Sequence, residues 1–319
     1  MQILFITSNR IGDAILSSGI LAHLIEKYPA ADITVACGPL AAPLFRHAPG
    51  VKTVHVMRKQ RLSGHWLKLL AATIGTSWDL VVDLRGSATA YLLRARERKV
   101  LTADNTRHRV VHNAAVMGLE RPPSPKLWPG DAARAEARAL IPDGRKVLAV
   151  GPTANWPRKA WPVAYFAEFV ARLTGPGGTL EGAHVMVEGG PGEDEIVRPI
   201  LEAVPQERVL NQVGSELTVA YACFERAALY VGNDSGLMHL AAASGAPTLG
   251  LFGPSPEDLY APWGQNAAFV RGPRSFQDIV GAPGYDEADP SSAMADLTVD
   301  KVIEAAQDLL AKTKKGTQA

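Results

Sequence analysis

The chain is 319 residues long, 47% hydrophobic and 20% charged, with a formal net charge of +1, which is typical of a soluble globular protein of about two domains. It contains no run of 18 apolar residues, and residues 1–7 lack the length and basic flank of a secretion signal, so a cytoplasmic protein is expected. Cys37 and Cys223 lack metal-ligand spacing, which argues against a disulfide framework and a zinc site.

The first half of the sequence alternates short, nearly continuous apolar runs with segments of helical periodicity. Residues 14–28 carry apolar residues at helical spacing and stop at Pro29, which predicts a helix between the first two runs. The runs are predicted as buried strands of a parallel sheet, because their apolar residues do not alternate with polar ones. These strands are predicted at 3–7, 33–36, 54–57, 80–84 and 99–102.

A proline-rich segment at 121–129 interrupts this pattern and marks a linker region, and a helix is predicted at 131–140. The second half restarts the alternation, and an amphipathic helix at 299–310 is followed by a frayed tail. Its strands are predicted at 146–150, 184–188, 209–211, 229–231 and 248–252. The fold class is therefore α/β, with parallel sheets in two Rossmann-like lobes, 1–145 and 146–298, and ligand sites at the carboxyl ends of the strands. Neither lobe carries a G-x-G-x-x-G turn after its first strand, which disfavours a dinucleotide dehydrogenase.

Charge is divided unevenly between the two halves. Residues 1–145 hold 20 Lys and Arg against 11 Asp and Glu, a balance of +9, whereas residues 146–319 hold 13 against 21, a balance of −8. A basic half attracts an anionic substrate, an anionic lipid surface or nucleic acid, unless the excess is simply solvated surface. We favour an anionic acceptor, because the basic residues cluster locally at 58–61, 94–99 and 107–109.

The turn after the first predicted strand carries a candidate catalytic carboxylate. Gly12 lets the backbone bend sharply into the first helix, and Asp13 is expected to point into the cleft between the lobes. A carboxylate at this place can accept the proton of an incoming hydroxyl. The alternative is an Asp that only stabilises the start of the helix, and the local sequence leaves both interpretations open.

The segment 233–239, Asn-Asp-Ser-Gly-Leu-Met-His, follows a predicted strand and begins a helix. Ser235 and Gly236 would present free backbone N–H groups at the positive end of the helix dipole, and His239 lies one turn further on the same face. With Gly232 and Gly236 allowing close backbone approach, the pattern predicts a diphosphate site. The alternative is an ordinary Asp or Ser N-cap with a buried His.

Two further strand exits in the second half are candidate walls of the same site. The loop 151–162 places small and hydroxyl residues beside Arg158 and Lys159, which suits a phosphate pocket with Lys159 as a point charge. The glycine-rich segment 188–195 offers carboxylates that either bind ribose hydroxyls or simply begin a helix at its favourable end. Because the strand ends of one parallel sheet converge, we expect these loops to lie near Ser235.

Taken together these residues resemble glycosyltransferase family 9, the bacterial ADP-heptose:lipopolysaccharide heptosyltransferases. The motifs that carry the resemblance are Gly12-Asp13, 78–86, 159–162, Asp234-Ser235-Gly236 with His239, and 251–255. The resemblance implies a GT-B fold, in which two Rossmann-like lobes face a cleft and the segment 299–319 packs back toward the first lobe. It also implies an inverting transfer that needs no metal and no cofactor besides the nucleotide-sugar donor.

Carried over residue by residue, the resemblance implies that Asp13 is the general base and that Lys159 neutralises the donor diphosphate. The departing nucleoside diphosphate gains negative charge, which N–H donors and Lys159 would stabilise. The donor-binding residues that it implies are Thr153 near the phosphates, Glu193 at the ribose or adenine, Asp234 beside the sugar, and the phosphate-binding turn of Ser235, Gly236 and His239.

The implied acceptor is lipid A with its anionic keto-deoxy-octulosonate sugars, which fits the basic first half. Its predicted contacts are Arg58, Arg61 and Arg85, the last standing where the family commonly has Gln. The expected partners are therefore an ADP-sugar and an anionic lipid-linked saccharide, with peripheral contact at the inner face of the inner membrane and no nucleic acid. The alternatives are a nucleotide-sugar epimerase of the same architecture, which needs no acceptor, and a two-lobed binding protein for a small anion.

Overall fold

The computed structural model describes residues 1–104 and 106–317. The chain divides into two compact units, Met1–Gly130 and Asp131–Ala319. The boundary lies directly after the predicted proline-rich linker. The helix at 131–140 therefore belongs to the second unit, and the division differs from the predicted one at 145.

The first unit is built on a five-stranded parallel sheet in which nearly every strand residue of the central strands is buried. Its strands are β1 (Gln2–Ile6), β2 (Asp32–Cys37), β3 (Val51–Val56), β4 (Trp78–Asp83) and β5 (Ala95–Val100), in the order β3-β2-β1-β4-β5. Its helices are α1 (Ile11–Lys27), α2 (Ala42–Phe45), α3 (Gly64–Thr73), α4 (Thr89–Leu92) and α5 (Arg109–Val116). Because all pairs are parallel, the loops after β1, β3 and β4 emerge at one edge of the sheet.

The second unit contains a six-stranded parallel sheet of the same kind. Its strands are β6 (Val147–Gly151), β7 (His184–Gly189), β8 (Val209–Val213), β9 (Leu229–Asn233), β10 (Thr248–Phe252) and β11 (Ala267–Arg271), in the order β11-β10-β9-β6-β7-β8. Its helices are α6 (Gly130–Leu140), α7 (Val163–Thr174), α8 (Asp194–Leu201), α9 (Leu217–Phe224), α10 (Gly236–Ser244), α11 (Glu257–Tyr260), α12 (Phe276–Val280) and α13 (Val299–Thr317). β6 and β9 are neighbours, so the loops that follow them lie side by side.

The last helix, α13, packs inside the second unit. Val302, Ala306 and Leu309 are buried in the core that also contains Phe166 and Phe169 of α7. The packing of this segment toward the first lobe, which the resemblance implies, stays a prediction. The helix continues to Thr317, so the tail predicted to fray after 310 is helical there, and residues 318–319 of the predicted segment lie outside the described residues.

Both cysteines are buried and free, as their spacing predicts. Burial raises the pKa of the Cys37 and Cys223 thiols to about 12, which keeps them protonated and unreactive. In the described part of the chain, none of the helices combines the length and apolar character that crossing a bilayer requires.

Candidate active site

The turn between β9 and α10 has the geometry of an anion site. Ser235 is the N-cap of α10 in an extended conformation, with φ −149° and ψ 173°, and its side chain makes no capping hydrogen bond. The first-turn N–H groups of a helix have no partner within the helix. Since Ser235 does not cap α10, these donors are available to an anion at the positive end of the helix.

Three of the predicted donor-binding residues meet at this turn. Lys159 Nζ donates a hydrogen bond to Asp234 Oδ2 at 3.1 Å, and His239 Nε2 lies 4.0 Å from Asp234 Oδ1. The side chains of Lys159, Asp234 and His239 are only 17%, 8% and 4% exposed. The ammonium is thus held beside the N-terminus of α10 in a weakly solvated setting, where its charge acts strongly on a bound phosphate.

A buried amide fixes the two loops that form this site. Asn233, at the end of β9, accepts a hydrogen bond from Trp161 N at 2.9 Å through Oδ1 and donates to Pro152 O at 2.7 Å through Nδ2. The bonds bring the loop after β6, with the buried Thr153, against the β9–α10 turn. Asn233 is fully buried and is not among the site residues predicted from the sequence, although an Asn that ends an apolar strand is a visible signal.

The loop that carries Lys159 is covered by a segment that the sequence leaves without an assigned role. Arg158 Nη1 donates to Asp289 Oδ2 at 2.5 Å, and its guanidinium carbon lies 4.8 Å from the centre of the Tyr285 ring. Ala293 N donates to Arg158 O at 2.8 Å. The segment 285–293 therefore clamps the backbone on which Lys159 is mounted.

The glycine-rich exit after β7 contains two carboxyl groups with different tasks. Glu193 Oε2 accepts a hydrogen bond from Gly190 N at 2.6 Å, so this carboxylate, predicted to contact the nucleoside, holds its own loop. Glu188 is 1% exposed, and burial raises its pKa to about 8. Its Oε2 accepts from Ser215 Oγ at 3.2 Å, whereas Oε1 is buried with no hydrogen-bond partner among the described residues. The raised pKa agrees with this setting, because a protonated carboxyl group costs less free energy to bury than a carboxylate.

The pKa of Glu188 makes stability depend on pH. An unfolded Glu ionises near pH 4.5, whereas Glu188 stays protonated in the folded protein until about pH 8, so the unfolded state is favoured increasingly across this range. The Glu188→Gln variant removes this dependence. We expect the free energy of unfolding of the natural protein, measured relative to that of the variant, to fall by roughly 4 kcal/mol from pH 4.5 to 8. Chemical denaturation at several pH values checks this, and parallel curves for the two proteins would contradict it.

The presence of glycine at position 232 is explained by the packing of Tyr230. A Cβ at Gly232 would lie 2.4 Å from the Tyr230 hydroxyl oxygen, and one at Gly151 would lie 2.1 Å from it. The buried phenol therefore fills the space between the two strands. This packing requires a glycine at position 232 by itself, and the expected close approach of a diphosphate to Gly232 stays a prediction.

In the first unit Asp13 lies in the first turn of α1, half-buried. Ser8 Oγ donates to Asp13 Oδ2 across 3.5 Å, which is a long and weak contact. The carboxylate therefore lies at the carboxyl edge of the sheet with a weak hydrogen bond to Ser8, and its role as general base stays a prediction.

The turn after β4 places a predicted acceptor residue at the same edge. Asp83 is fully buried and accepts hydrogen bonds from Arg85 N and Ser87 N, each at 2.8 Å, and from Ser87 Oγ at 2.5 Å. Burial raises the pKa of Asp83, and these hydrogen bonds oppose the rise. Asp83 is therefore a structural carboxylate that fixes the turn, whereas the Arg85 side chain is exposed.

The loop after β3 forms a basic cavity of about 200 Å³. Arg58 lines it, whereas Arg61 is an exposed residue of the same loop. The remaining walls include His55, Gln60, His65 and Lys68. Desolvation lowers the pKa of His55, so the cavity takes its positive charge from Arg58 and Lys68.

The structure therefore groups the predicted residues by unit. Lys159, Asp234, Ser235 and His239 meet in the second unit, and Asp13, Arg58 and Arg85 follow parallel strands at one edge of the first. Within residues 1–104 and 106–317, no group of three or more His, Cys, Asp or Glu side chains is arranged to hold a metal ion.

A family model matches most of this chain. The model of glycosyltransferase family 9 (heptosyltransferase) matches residues 66–280, a stretch that contains Arg85 and the Lys159 and Asp234 motifs. Lipopolysaccharide heptosyltransferase 2 of Salmonella typhimurium is 26% identical over 98% of this chain and 99% of its own length. Its counterpart in Escherichia coli is also 26% identical, over 97% and 99%.

Solved structures share the fold. A family 9 glycosyl transferase from Veillonella parvula superimposes with a TM-score of 0.79 at 20% identity, over 98% of this chain and 97% of that one. ADP-heptose lipopolysaccharide heptosyltransferase II of Escherichia coli gives a TM-score of 0.76 at 23% identity, over 98% and 100%. The expected GT-B fold is confirmed by these likenesses.

Proposed function

The chain belongs to glycosyltransferase family 9, and from this membership we propose that it transfers a heptose from ADP-heptose to a hydroxyl of a lipopolysaccharide core acceptor. The observation that carries the proposal is the Lys159–Asp234 pair at the uncapped N-terminus of α10. The full-length relatives named as heptosyltransferases support this choice of sugar and acceptor. A nucleotide-sugar epimerase is the weaker alternative, since the relatives matched over nearly their whole length are transferases.

The donor diphosphate would bind where the second unit concentrates positive charge. The first-turn N–H groups of α10 and the Lys159 ammonium face the same turn. As the glycosidic bond breaks, the leaving ADP gains charge, so groups placed in advance stabilise the transition state more than the ground state. We propose that these groups do the work of a metal ion, which makes the transfer metal-independent.

Asp13 would accept the proton of the acceptor hydroxyl. Its carboxylate is half-buried and its contact with Ser8 is long, so it is free to form a short hydrogen bond with a substrate. The hydroxyl would attack the anomeric carbon from the face opposite to the departing ADP. This geometry gives a single displacement, and the product is expected to have the inverted configuration.

The ribose end of the donor is proposed to lie at the loop after β7, where Glu193 is the expected contact. Glu193 is partly exposed as the N-cap of α8, and it can accept from a ribose hydroxyl in addition to Gly190 N. Glu188 is 1% exposed, so its carboxyl group lies too deep to contact a nucleoside.

The acceptor would bind to the first unit. The cavity beside Arg58 is positively charged and open to an anionic sugar acid, and Arg61 and Arg85 are exposed. Arg guanidinium groups recognise carboxylate and phosphate through paired hydrogen bonds. These three residues are the proposed acceptor contacts.

The proposed function is tested by measuring transfer directly. The purified chain is incubated with a panel of ADP-, UDP- and GDP-sugars and a heptose-deficient core acceptor, with and without EDTA. We expect ADP release and a mass gain of one heptose only from ADP-heptose, undiminished by EDTA, and an inverted anomeric centre by NMR. A donor consumed without acceptor would instead indicate an epimerase.

The clamp on the Lys159 loop yields a prediction about donor affinity. The Asp289→Asn variant weakens the Arg158 contact, and we expect the donor KM to rise by about three- to tenfold with kcat nearly unchanged. Glu287→Gln is the matched control, because Trp156 Nε1 bonds the Glu287 backbone oxygen, which the change retains. Steady-state kinetics check this, and equal KM values in the two variants would contradict it.

A further inference from the structure

Helix α3 in the first unit presents an apolar face to solvent. Its inner side buries His65, Leu69 and Thr73. The opposite side carries Leu67, Ala71 and Ile74, spaced four and three residues apart, with Leu67 68% and Ile74 54% exposed. Residues at this spacing form one stripe along a helix, so the solvent-facing side of α3 carries an apolar stripe.

The exposed apolar surface extends beyond α3. Of the ten large hydrophobic side chains that are exposed in the described chain, five fall within residues 62–92. These are Leu62 at 92%, Leu67, Ile74, and Tyr91 and Leu92 of α4, which packs against α3. Scattered exposed aliphatic residues are ordinary, but a concentration of them on two helices that share one core indicates an interaction surface.

The turn before α3 has an unusual backbone conformation at Leu62, which is the most exposed of these side chains. Leu62 and Ser63 have φ of 52° and 58°, in the left-handed region that residues other than glycine rarely adopt. Two successive residues of this kind are retained only where the surrounding structure enforces them, frequently at functional surfaces. Here they present Leu62 at the tip of the loop.

The same stretch is strongly basic. Residues 51–77 contain five Lys and Arg and no Asp or Glu. Four of these basic residues flank the apolar side chains and are exposed: Arg58, Lys59, Arg61 and Lys68. Aliphatic side chains surrounded by cations match the boundary of an anionic bilayer, where headgroup phosphates lie above acyl chains. A second copy of this surface would bring like charges together, which disfavours self-association.

We propose that this surface, the α3–α4 face formed by Leu62, Leu67, Ile74, Tyr91 and Leu92, docks on an anionic phospholipid bilayer. The inference rests on the proposed function, because a lipid-linked acceptor is presented from a bilayer. β3 runs parallel to β1 and β4, so the loop with Leu62 emerges at the edge of the sheet that carries Asp13 and Arg85. Docking there presents the acceptor contacts to the lipid surface.

The test is vesicle co-sedimentation of the full chain. Vesicles of phosphatidylcholine alone are compared with vesicles containing one quarter phosphatidylglycerol, and the Leu62→Gln/Leu67→Gln/Ile74→Gln variant is compared with the natural protein. We expect binding to the anionic vesicles alone, and a loss of at least about tenfold in the triple variant. Ile196→Gln is the matched control, because Ile196 is 53% exposed in the second unit.

Transfer assays separate this inference from the proposed function. The triple variant is expected to transfer sugar to a water-soluble, deacylated acceptor at the natural rate, and to lose rate with an acceptor embedded in vesicles. Unchanged vesicle binding by the triple variant would overturn the docking surface. The same conclusion would follow if the natural protein did not bind vesicles, and a dimer that the triple variant abolished would then assign this surface to a contact between two copies. A natural protein that binds vesicles and transfers nothing to the soluble acceptor would overturn the proposed function alone.

Discussion

The Asp13→Asn variant is expected to lower kcat by about 10²- to 10⁴-fold, the share that a general base contributes, while ADP binding stays unchanged. Asn keeps the size of the side chain but cannot accept the acceptor proton. The half-buried carboxylate makes one long contact, with Ser8 Oγ at 3.5 Å, so the substitution removes little structural support. Initial rates at saturating donor and acceptor, together with calorimetric titration of ADP, measure both quantities.

Two other aspartates of the first unit provide control variants that distinguish a loss of catalysis from a loss of stability. Asp32 stands at the amino end of β2 and accepts a hydrogen bond from Gln2 Nε2 at 3.0 Å, so Asp32→Asn should keep the natural rate. Asp83→Asn should lower stability, since Asp83 is fully buried and accepts three hydrogen bonds. Turnover of Asp13→Asn within a few fold of the natural protein would remove Asp13 from the mechanism.

Sequence periodicity predicts the central strands well and two of the edge strands, β5 and β11, poorly, for a physical reason. Central strands of a parallel sheet are buried on both faces, so their apolar runs are continuous, as in β1 and β9. β5 lies at an edge and contains Arg96, Glu97, Arg98 and Lys99, so the apolar signal at 99–102 marks only its end. β11 is an edge strand of the second sheet, and the sequence pattern does not predict it.

The candidate anion-binding turn is predictable because the residues that form it are consecutive in the sequence. Asn233 to His239 are consecutive, and the spacing of Ser235, Gly236 and His239 follows from helix geometry. The supporting contacts are not local. Trp161 is 72 residues from Asn233, and Arg158 is 131 residues from Asp289, so these pairs depend on the sheet order and on the path of the covering segment.

The two carboxyl groups after β7 show a similar limit. Glu188 and Glu193 are both plausible from the glycine-rich sequence, and the segment alone does not show which is buried. The strand register decides, because β7 continues to Gly189 and places Glu188 inside, where it is 1% exposed. Glu193 lies beyond the strand as the N-cap of α8 and bonds to its own loop.

The Lys159→Ala variant is expected to lower kcat by about 10²- to 10³-fold and to weaken ADP binding as well. The ammonium stands beside the N-terminus of α10, and removing one such preorganised group costs this much where charge develops on the leaving group. Lys159→Arg should retain part of the rate, because it keeps the charge but changes its shape. Rates at saturating substrates and ADP titrations distinguish the two effects.

Lys159→Ala also leaves Asp234, whose side chain is 8% exposed, without its partner, at a cost in stability of about 3 kcal/mol. The Lys159→Ala/Asp234→Asn double variant removes the unpaired charge, so we expect it to regain stability in chemical denaturation while its rate stays low. If the double variant instead recovered the natural kcat, Lys159 would serve only to balance Asp234. The Asp234→Asn single variant, which keeps the ammonium, is the control for the loss of Asp234 itself. If that variant keeps most of the natural rate, a stable double variant that releases ADP slowly places the ammonium on the leaving group, because neither a folding fault nor the lost carboxylate can then account for the lower rate.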